Sequence, residues 1–167
     1  CYMIFDIKAF SRQRKARLVG NGAMVDSTDV PTYASVVSRE SVRIAFTLAA
    51  LNGLDVLSAD CEGAYLNAQP RERLYTKCGP QFGELKGRWA IIVRALYGAA
   101  SSAASWRAAI SKVVENLGFK SCRADNDVWF RPAVKADGLE VYEYVCIYSD
   151  DLIMIGIHPE EIAAQIS

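Results

Sequence analysis

Tyr148-Ser149-Asp150-Asp151 sets two adjacent carboxylates between the apolar runs Val141-Tyr142-Glu143-Tyr144-Val145-Cys146-Ile147 and Leu152-Ile153-Met154-Ile155-Gly156-Ile157. Each run is too short for a helix and rich in β-branched and aromatic residues, so the two read as strands joined tightly at the acidic pair. The result is a β-hairpin with two negative charges at its tip. Ordinary two-residue hairpin turns use Asn-Gly or Asp-Gly, because their central residues favour positive φ, whereas Asp-Asp offers no glycine and adds repulsion. At an effective dielectric near 20 and a separation of roughly 5 Å, two carboxylates repel by about 3 kcal/mol. A bound divalent cation would remove that penalty. The competing reading of the same four residues is a solvated acidic turn, since Asp is common in turns.

Outward from the hairpin, Val56–Asp60 reads as a short strand with Val56, Ser58 and Asp60 on one face and Asp60 at its C-terminal end. Ahead of it Ser38 takes an N-cap position, Glu40 the first turn, and Val42, Ala45, Phe46 and Ala49 fall at helical spacing up to a stop at Gly53. Strands are expected at Tyr2–Ile7 and Lys15–Val19 around the polar turn Ser11-Arg12-Gln13-Arg14, followed by a turn-rich stretch from Asn21 to Pro31. Further strands are expected at Leu74–Cys78, Trp89–Val93, Phe119–Arg123 and Val128–Arg131. A second helix carries Trp106, Ile110, Val113 and Leu117 and closes at Gly118, and His158-Pro159-Glu160-Glu161 opens a third. Without regular βαβ alternation, this mixture predicts an α+β fold, an antiparallel sheet with helices on one face.

The 167 residues are 51% hydrophobic, enough to bury the core of one domain, and carry no formal net charge. The charge is unevenly spread. Residues 1–20 hold Lys8, Arg12, Arg14, Lys15 and Arg17 against Asp6 alone, a basic arm on an acidic body. Five cysteines (Cys1, Cys61, Cys78, Cys122, Cys146) without a C-x-x-C pair, and the single histidine His158, argue against a zinc site or a disulfide framework and suit a reducing compartment. No stretch approaches 18 uninterrupted apolar residues and no signal peptide opens the chain, so no membrane partner is expected. A first residue of Cys inside an apparent strand predicts a fragment of a longer polypeptide.

If their strands are neighbours, Asp60, Asp150 and Asp151 converge. Oxygen ligands of this kind suit Mg²⁺, which binds one or two carboxylates with substrate phosphates and water. Two such ions about 4 Å apart would activate an attacking hydroxyl and stabilise a leaving pyrophosphate. Lys15 and Arg17 alternate onto one face of their strand and offer a grip for a triphosphate.

These residues carry a resemblance. Ser58-Ala59-Asp60-Cys61-Glu62-Gly63-Ala64-Tyr65-Leu66-Asn67 resembles the first catalytic motif of reverse transcriptases, in which an aromatic after Ala follows the Asp by five positions, and Tyr148-Ser149-Asp150-Asp151 resembles their Y-x-D-D box. Lys15-Ala16-Arg17-Leu18-Val19, Leu96-Tyr97-Gly98, Trp106, Leu117-Gly118-Phe119-Lys120 and Ala124-Asp125 follow in the order and spacing of copia-type long-terminal-repeat retrotransposons, over nearly the whole chain. The resemblance implies a right-hand polymerase fold: residues 1–167 as one partial reverse transcriptase domain, with an antiparallel palm sheet and a basic fingers hairpin, and with thumb, connection and RNase H outside it. The implied activity is RNA-directed DNA polymerisation, by in-line attack of a primer 3′-hydroxyl on the α-phosphate of a dNTP. The implied partners are an RNA or DNA template with primer, dNTPs and the rest of the retrotransposon polyprotein. The implied cofactor is Mg²⁺, as two ions with Mn²⁺ the alternative, and the implied location is a cytoplasmic virus-like particle with a nuclear stage.

Carried over by residue, Asp60 and Asp150 become the principal metal ligands, Asp151 the third acid, and the carbonyl of Cys61 completes the second ion's shell. Tyr65 lies beneath the deoxyribose as a steric gate, Lys15 and Arg17 hold the nucleotide phosphates, and Gly98 lets the backbone pass close to the incoming base pair. Trp106, on the apolar helix stripe, is assigned to the core. Where the copia pattern reads G-L-K-Q-A-P-R-x-W, this chain has Gly98-Ala99-Ala100-Ser101-Ser102-Ala103-Ala104-Ser105-Trp106. Two cations and a long hydrogen-bonding side chain are thereby missing from a site built for polyanions. Two rival functions stay open: a catalytically decayed nucleic-acid-binding module, and another Mg²⁺-dependent palm-type nucleotidyl enzyme that needs neither Tyr65 nor a template.

Overall fold

A computed structural model describes residues 1–7, 12–22 and 30–166. Lys8 of the basic arm, Ser11 of its turn and residues 23–29 of the expected turn-rich stretch lie outside the described residues. Along the chain run β1 (Tyr2–Ile7), β2 (Arg14–Val19), α1 (Arg39–Asn52), β3 (Asp55–Asp60), β4 (Leu74–Lys77), β5 (Trp89–Ile92), α2 (Ser102–Asn116), β6 (Lys120–Ser121), β7 (Val128–Val134), β8 (Glu140–Tyr148), β9 (Asp151–Gly156) and α3 (Pro159–Ile166). They form an α+β fold with antiparallel sheets, divided into two compact units: Cys1–Ala34 with Gly63–Trp106, and Ser35–Glu62 with Arg107–Ser167.

In the first unit β1 and β2 make an antiparallel hairpin whose register sets Lys15 opposite Asp6 and Arg17 opposite Ile4. Opposite charges facing each other across a ladder favour this register over a slipped one. β4 and β5 make a second antiparallel pair, with Leu74 and Thr76 buried and Tyr75 and Lys77 exposed, as a half-buried strand requires.

The second unit is built on the five-stranded antiparallel order β3-β9-β8-β7-β6. α1 begins where Ser38, in extended conformation, accepts the Ser41 N–H on its hydroxyl at 3.1 Å. It ends at Gly53, whose left-handed conformation (φ 55°) lets the chain reverse directly into β3. Ala45 and Ala49 of α1 pack with Leu54, Cys146 and Ile155, and Tyr144 and Ile153 join them. By register Tyr144 and Ile155 are partners, as are Cys146 and Ile153, so α1 covers that face of the sheet. Burial, with Asp125 as a second cause, pushes the Cys146 thiol up to about 12, so it sits in this core as a neutral group.

The other face is covered as well. Ile162 of α3 and the Glu143 carboxylate both press on Gly156, and Arg131, paired with Glu143 at 2.9 Å, stacks on Phe119 just after α2. The expected one-sided cover is therefore corrected: helices and the residues that cap them lie on both faces. The physical reason is that β8 and β9 bury both of their alternating sets, with Val145, Ile147, Leu152 and Met154 on one side and Cys146 and Ile155 on the other. At about 1.5–3 kcal/mol for each fully buried aliphatic side chain, neither set can face water.

Two strands differ from expectation by more than one residue, β7 and β6. β7 continues through Pro132 to Val134, because β6 pairs only with Trp129 and Phe130, leaving β7 an edge strand at Pro132, where its missing N–H interrupts no ladder. The strand expected at Phe119–Arg123 shrinks to two residues for the same lack of further partners.

Asp125 ties this unit together. Its carboxylate accepts the Ser38 N–H at 2.9 Å and the Asp127 N–H at 3.1 Å, joining the start of α1 to the loop before β7. Burial pushes its pKa up, but the hydrogen bonds from Ser38, Ser41 and Asp127 outweigh that and hold it below the usual 3.8. A depressed carboxyl pKa stabilises the fold above the unfolded-state value and loses that stabilisation as pH falls through the folded-state value. Asp125→Ala is thus expected to cost about 1–3 kcal/mol at neutral pH and progressively less in acid, read by urea unfolding. An equal cost at neutral and strongly acidic pH contradicts this assignment.

Candidate active site

Asp60 ends β3 and Asp151 begins β9, and the register makes them cross-strand partners. Tyr148 at the end of β8 is the other partner of Asp151, so Asp60, Asp151 and Tyr148 lie side by side across three strands. Directly opposed residues in an antiparallel pair have Cα atoms about 4.5–5.5 Å apart. Past the end of β3, the Cys61 N–H donates to the Asp150 carbonyl at 2.8 Å, which brings the third acid's backbone to the same corner. The missing turn glycine is replaced by Ser149, which takes positive φ (57°) itself; besides Arg12 it is the only non-glycine among the described residues to do so. An L-residue in that conformation costs roughly 1 kcal/mol, borne by the ladder on either side.

Leu152 and Met154 are buried beneath this corner, whereas Asp60 and Asp151 are exposed and Asp150 is half-buried. The alternation of the strands thus plants apolar anchors below and presents charge above. The half-buried Cys61 thiol reports the charge: burial raises its pKa, and Asp60, Asp150 and Asp151 each raise it further. All three carboxylates therefore act on one point. They offer hard oxygen donors suited to Mg²⁺, although among the described residues no group of three or more His, Cys, Asp or Glu side chains is gathered closely enough to hold a metal ion.

The remaining candidates belong to the first unit. Tyr65 lies in a 3₁₀ turn, Ala64–Asn67, that starts after left-handed Gly63. Its ring sits 4.7 Å from that of Tyr97, tilted by 44°, and the Arg17 guanidinium lies 6.0 Å from the Tyr97 ring centre. Tyr97 is the link that reading the sequence missed; its only signal was its place beside Gly98. Gly98 (φ 82°) has no room for a side chain, since a Cβ would meet the Gly20 carbonyl and stand 2.7 Å from Val19 Cγ1. The end of β2 is thus what demands a glycine here, and the Gly20 N–H donates to the Tyr97 carbonyl at 2.6 Å. Lys15 is exposed.

The small-residue run is interior. Ser101 and Ser102 are fully buried; the Leu96 N–H donates to Ser102 Oγ at 3.0 Å, the Ser102 hydroxyl donates to the Leu96 carbonyl at 2.7 Å, and the Ser101 hydroxyl donates to the Glu72 carboxylate. Trp106 is buried, as its place on the apolar stripe predicts.

Comparison with known proteins bears on this arrangement. The profile of a family described as reverse transcriptase (RNA-dependent DNA polymerase) matches residues 3–165. The Ty1-BL and Ty1-DR5 transposon Gag-Pol polyproteins of Saccharomyces cerevisiae are each 26% identical over 154 residues, which is 88% of this chain. The match covers 8% of the length of either polyprotein. No solved structure matches.

The cross-strand pairing of Asp60 with Asp151 makes a stability prediction. Their repulsion, between about 1 kcal/mol in a water-like dielectric and 3 kcal/mol at a dielectric near 20, is relieved in Asp151→Asn. A rise in Tm of a few degrees in EDTA is expected, and a fall would contradict the pairing.

Proposed function

Because the chain belongs to the reverse transcriptase (RNA-dependent DNA polymerase) family, we propose that it is the fingers and palm of a copia-type retrotransposon Gag-Pol polyprotein, one partial right-hand polymerase domain that extends a primer 3′-hydroxyl with dNTPs along an RNA or DNA template. The observation that carries the reading is the register that pairs Asp60 with Asp151, extended by the Cys61 N–H to the Asp150 carbonyl. It brings the backbones of three acids to one end of the five-stranded sheet, which supports the reading.

In this reading Asp60, Asp150 and Asp151, with the Cys61 carbonyl, would hold Mg²⁺ or Mn²⁺, which when bound activates the attacking hydroxyl and neutralises the leaving pyrophosphate. Lys15 and Arg17 bind the phosphate oxygens of the nucleotide, Arg17 as a fork and Lys15 as a point charge. Tyr65, braced by Tyr97, presents a wall to a 2′-hydroxyl. The rigid strands that end at the acids supply orientation, which a reaction with no covalent enzyme intermediate depends on. The site works within the polyprotein, in a cytoplasmic particle with a nuclear stage.

Catalytic decay was the reading suggested by the run Ala99–Ser105. Ser101 and Ser102 of that run are hydrogen-bonded in the interior of the first unit, which supports a packed variant of the loop over a lesion.

The test is primer extension by the full-length enzyme with Mg²⁺. Asp150→Asn is expected to lower the rate at least about 100-fold, the scale on which one preorganised electrostatic group acts, with Tm unchanged or raised. Retained extension, or extension that ignores the template, would return the chain to the rival readings.

A further inference from the structure

We propose that the outer face of the β4–β5 hairpin is a platform for single-stranded nucleic acid, with Tyr75 and Trp89 as stacking surfaces and the surrounding cations as phosphate contacts. The register pairs Tyr75 with Ile91 and Lys77 with Trp89, so these four side chains share one face. That face is open: Tyr75 is 60% exposed, Ile91 52% and Trp89 72%, while Leu74 and Thr76 on the reverse face are buried. A large aromatic seldom stays that exposed without a partner, and two on one small hairpin make a patch.

Charge identifies the partner. Beyond Arg71, which donates to the Ala104 carbonyl, the exposed cations Arg73, Lys77, Lys86, Arg88 and Arg94 stand against Glu84 as the only exposed acid up to Arg94. The other acid, Glu72, is partly buried and receives the Ser101 hydroxyl. Among the described residues none of the five cations is in an ion pair. Unpaired cations around exposed aromatic rings match a polyanion that carries flat apolar bases, and a single strand leaves those bases free to stack. A protein surface or a second copy of this chain would have to bring its own acids to the same basic stretch. The stretch is a second basic segment, hidden in the neutral total as the first was.

The proposal rests on the polymerase reading only for the source of the strand, a template; the face belongs to the first unit and the three acids to the second. Binding is therefore measured without chemistry. The chain is titrated in EDTA against a labelled oligothymidylate longer than the ~4–16-nucleotide sites typical of such grooves. Trp89 is the one exposed tryptophan of the three, so its emission reports stacking directly.

Wild-type binding should quench that emission, and Trp89→Ala should weaken affinity about 5- to 150-fold, the range for loss of one base–aromatic stack. Trp89→Phe, which keeps a ring, should retain most of it. Lys77→Ala, which removes the cation on the same face as both rings, should lower the slope of log affinity against log salt by about 0.7. Thermal melts show that each variant is folded. The proposal is overturned if wild type does not bind, if affinity and slope are unaltered in the variants, or if Trp89→Ala instead abolishes self-association in sedimentation while oligonucleotide binding is absent. Because no step here needs catalysis, failure of this test leaves the Asp150→Asn result standing, and the reverse.

Discussion

The pairing of β3 with β9 is the constraint on which the acidic corner depends. A slip of one residue would turn every side chain of β3 to the opposite face and set Asp60 against a hydrophobic partner. The carboxylates themselves oppose the native register, by about 1–3 kcal/mol of repulsion. Burial overrides them: Leu152, Met154 and Ile155 of β9 are each fully buried, at about 1.5–3 kcal/mol apiece, and their alternation admits only one register. The hydrophobic strands thus hold three charges where electrostatics alone would separate them.

The sheet is braced by charge below the site as well as by packing. Arg131 donates to Glu143 at 2.9 Å and to the Leu117 carbonyl at 2.9 Å, and Glu143 also accepts the Ile157 N–H at 3.2 Å. Buried acids are tolerated only when paired and hydrogen-bonded in this way. The pair joins β7, β8, the end of α2 and the approach to α3, so the hairpin that carries Asp150 and Asp151 rises from a base cross-linked on several sides. Arg107 does the same for the loop before β7, donating to buried Asp127 at 2.8 Å.

Much of this was legible in the residues. The alternation around Asp150-Asp151 announced the hairpin, the Ser38 cap and Gly53 stop bounded α1 within a residue, and Asp60 was expected at the strand end where it lies. What stayed hidden depends on neighbours that are distant in sequence. Pro132 reads as a terminator, yet β7 passes through it because the strand beside it is short. Glu143 is the one acid of its apolar run, and it is Arg131, from another strand, that lets it be interior. Apolar content on both sides of β8 and β9 could have signalled two covered faces, but a run of hydrophobic residues does not say which helix lies on which side. Tyr97 and the β4–β5 cations were missed for a related reason: contact between rings and local charge density are lost in a net charge of zero.

The central claim, that β3 and the β8–β9 hairpin converge to hold divalent cations on Asp60 and Asp150, is tested most directly by crystals grown with Mn²⁺ and measured at its absorption edge. The account predicts anomalous density coordinated by the Asp60 and Asp150 carboxylates and lost in Asp150→Asn. Asp60 and Asp150 carboxylates more than about 10 Å apart, too far to share ions about 4 Å from each other, or anomalous density elsewhere with none at this corner, would contradict it.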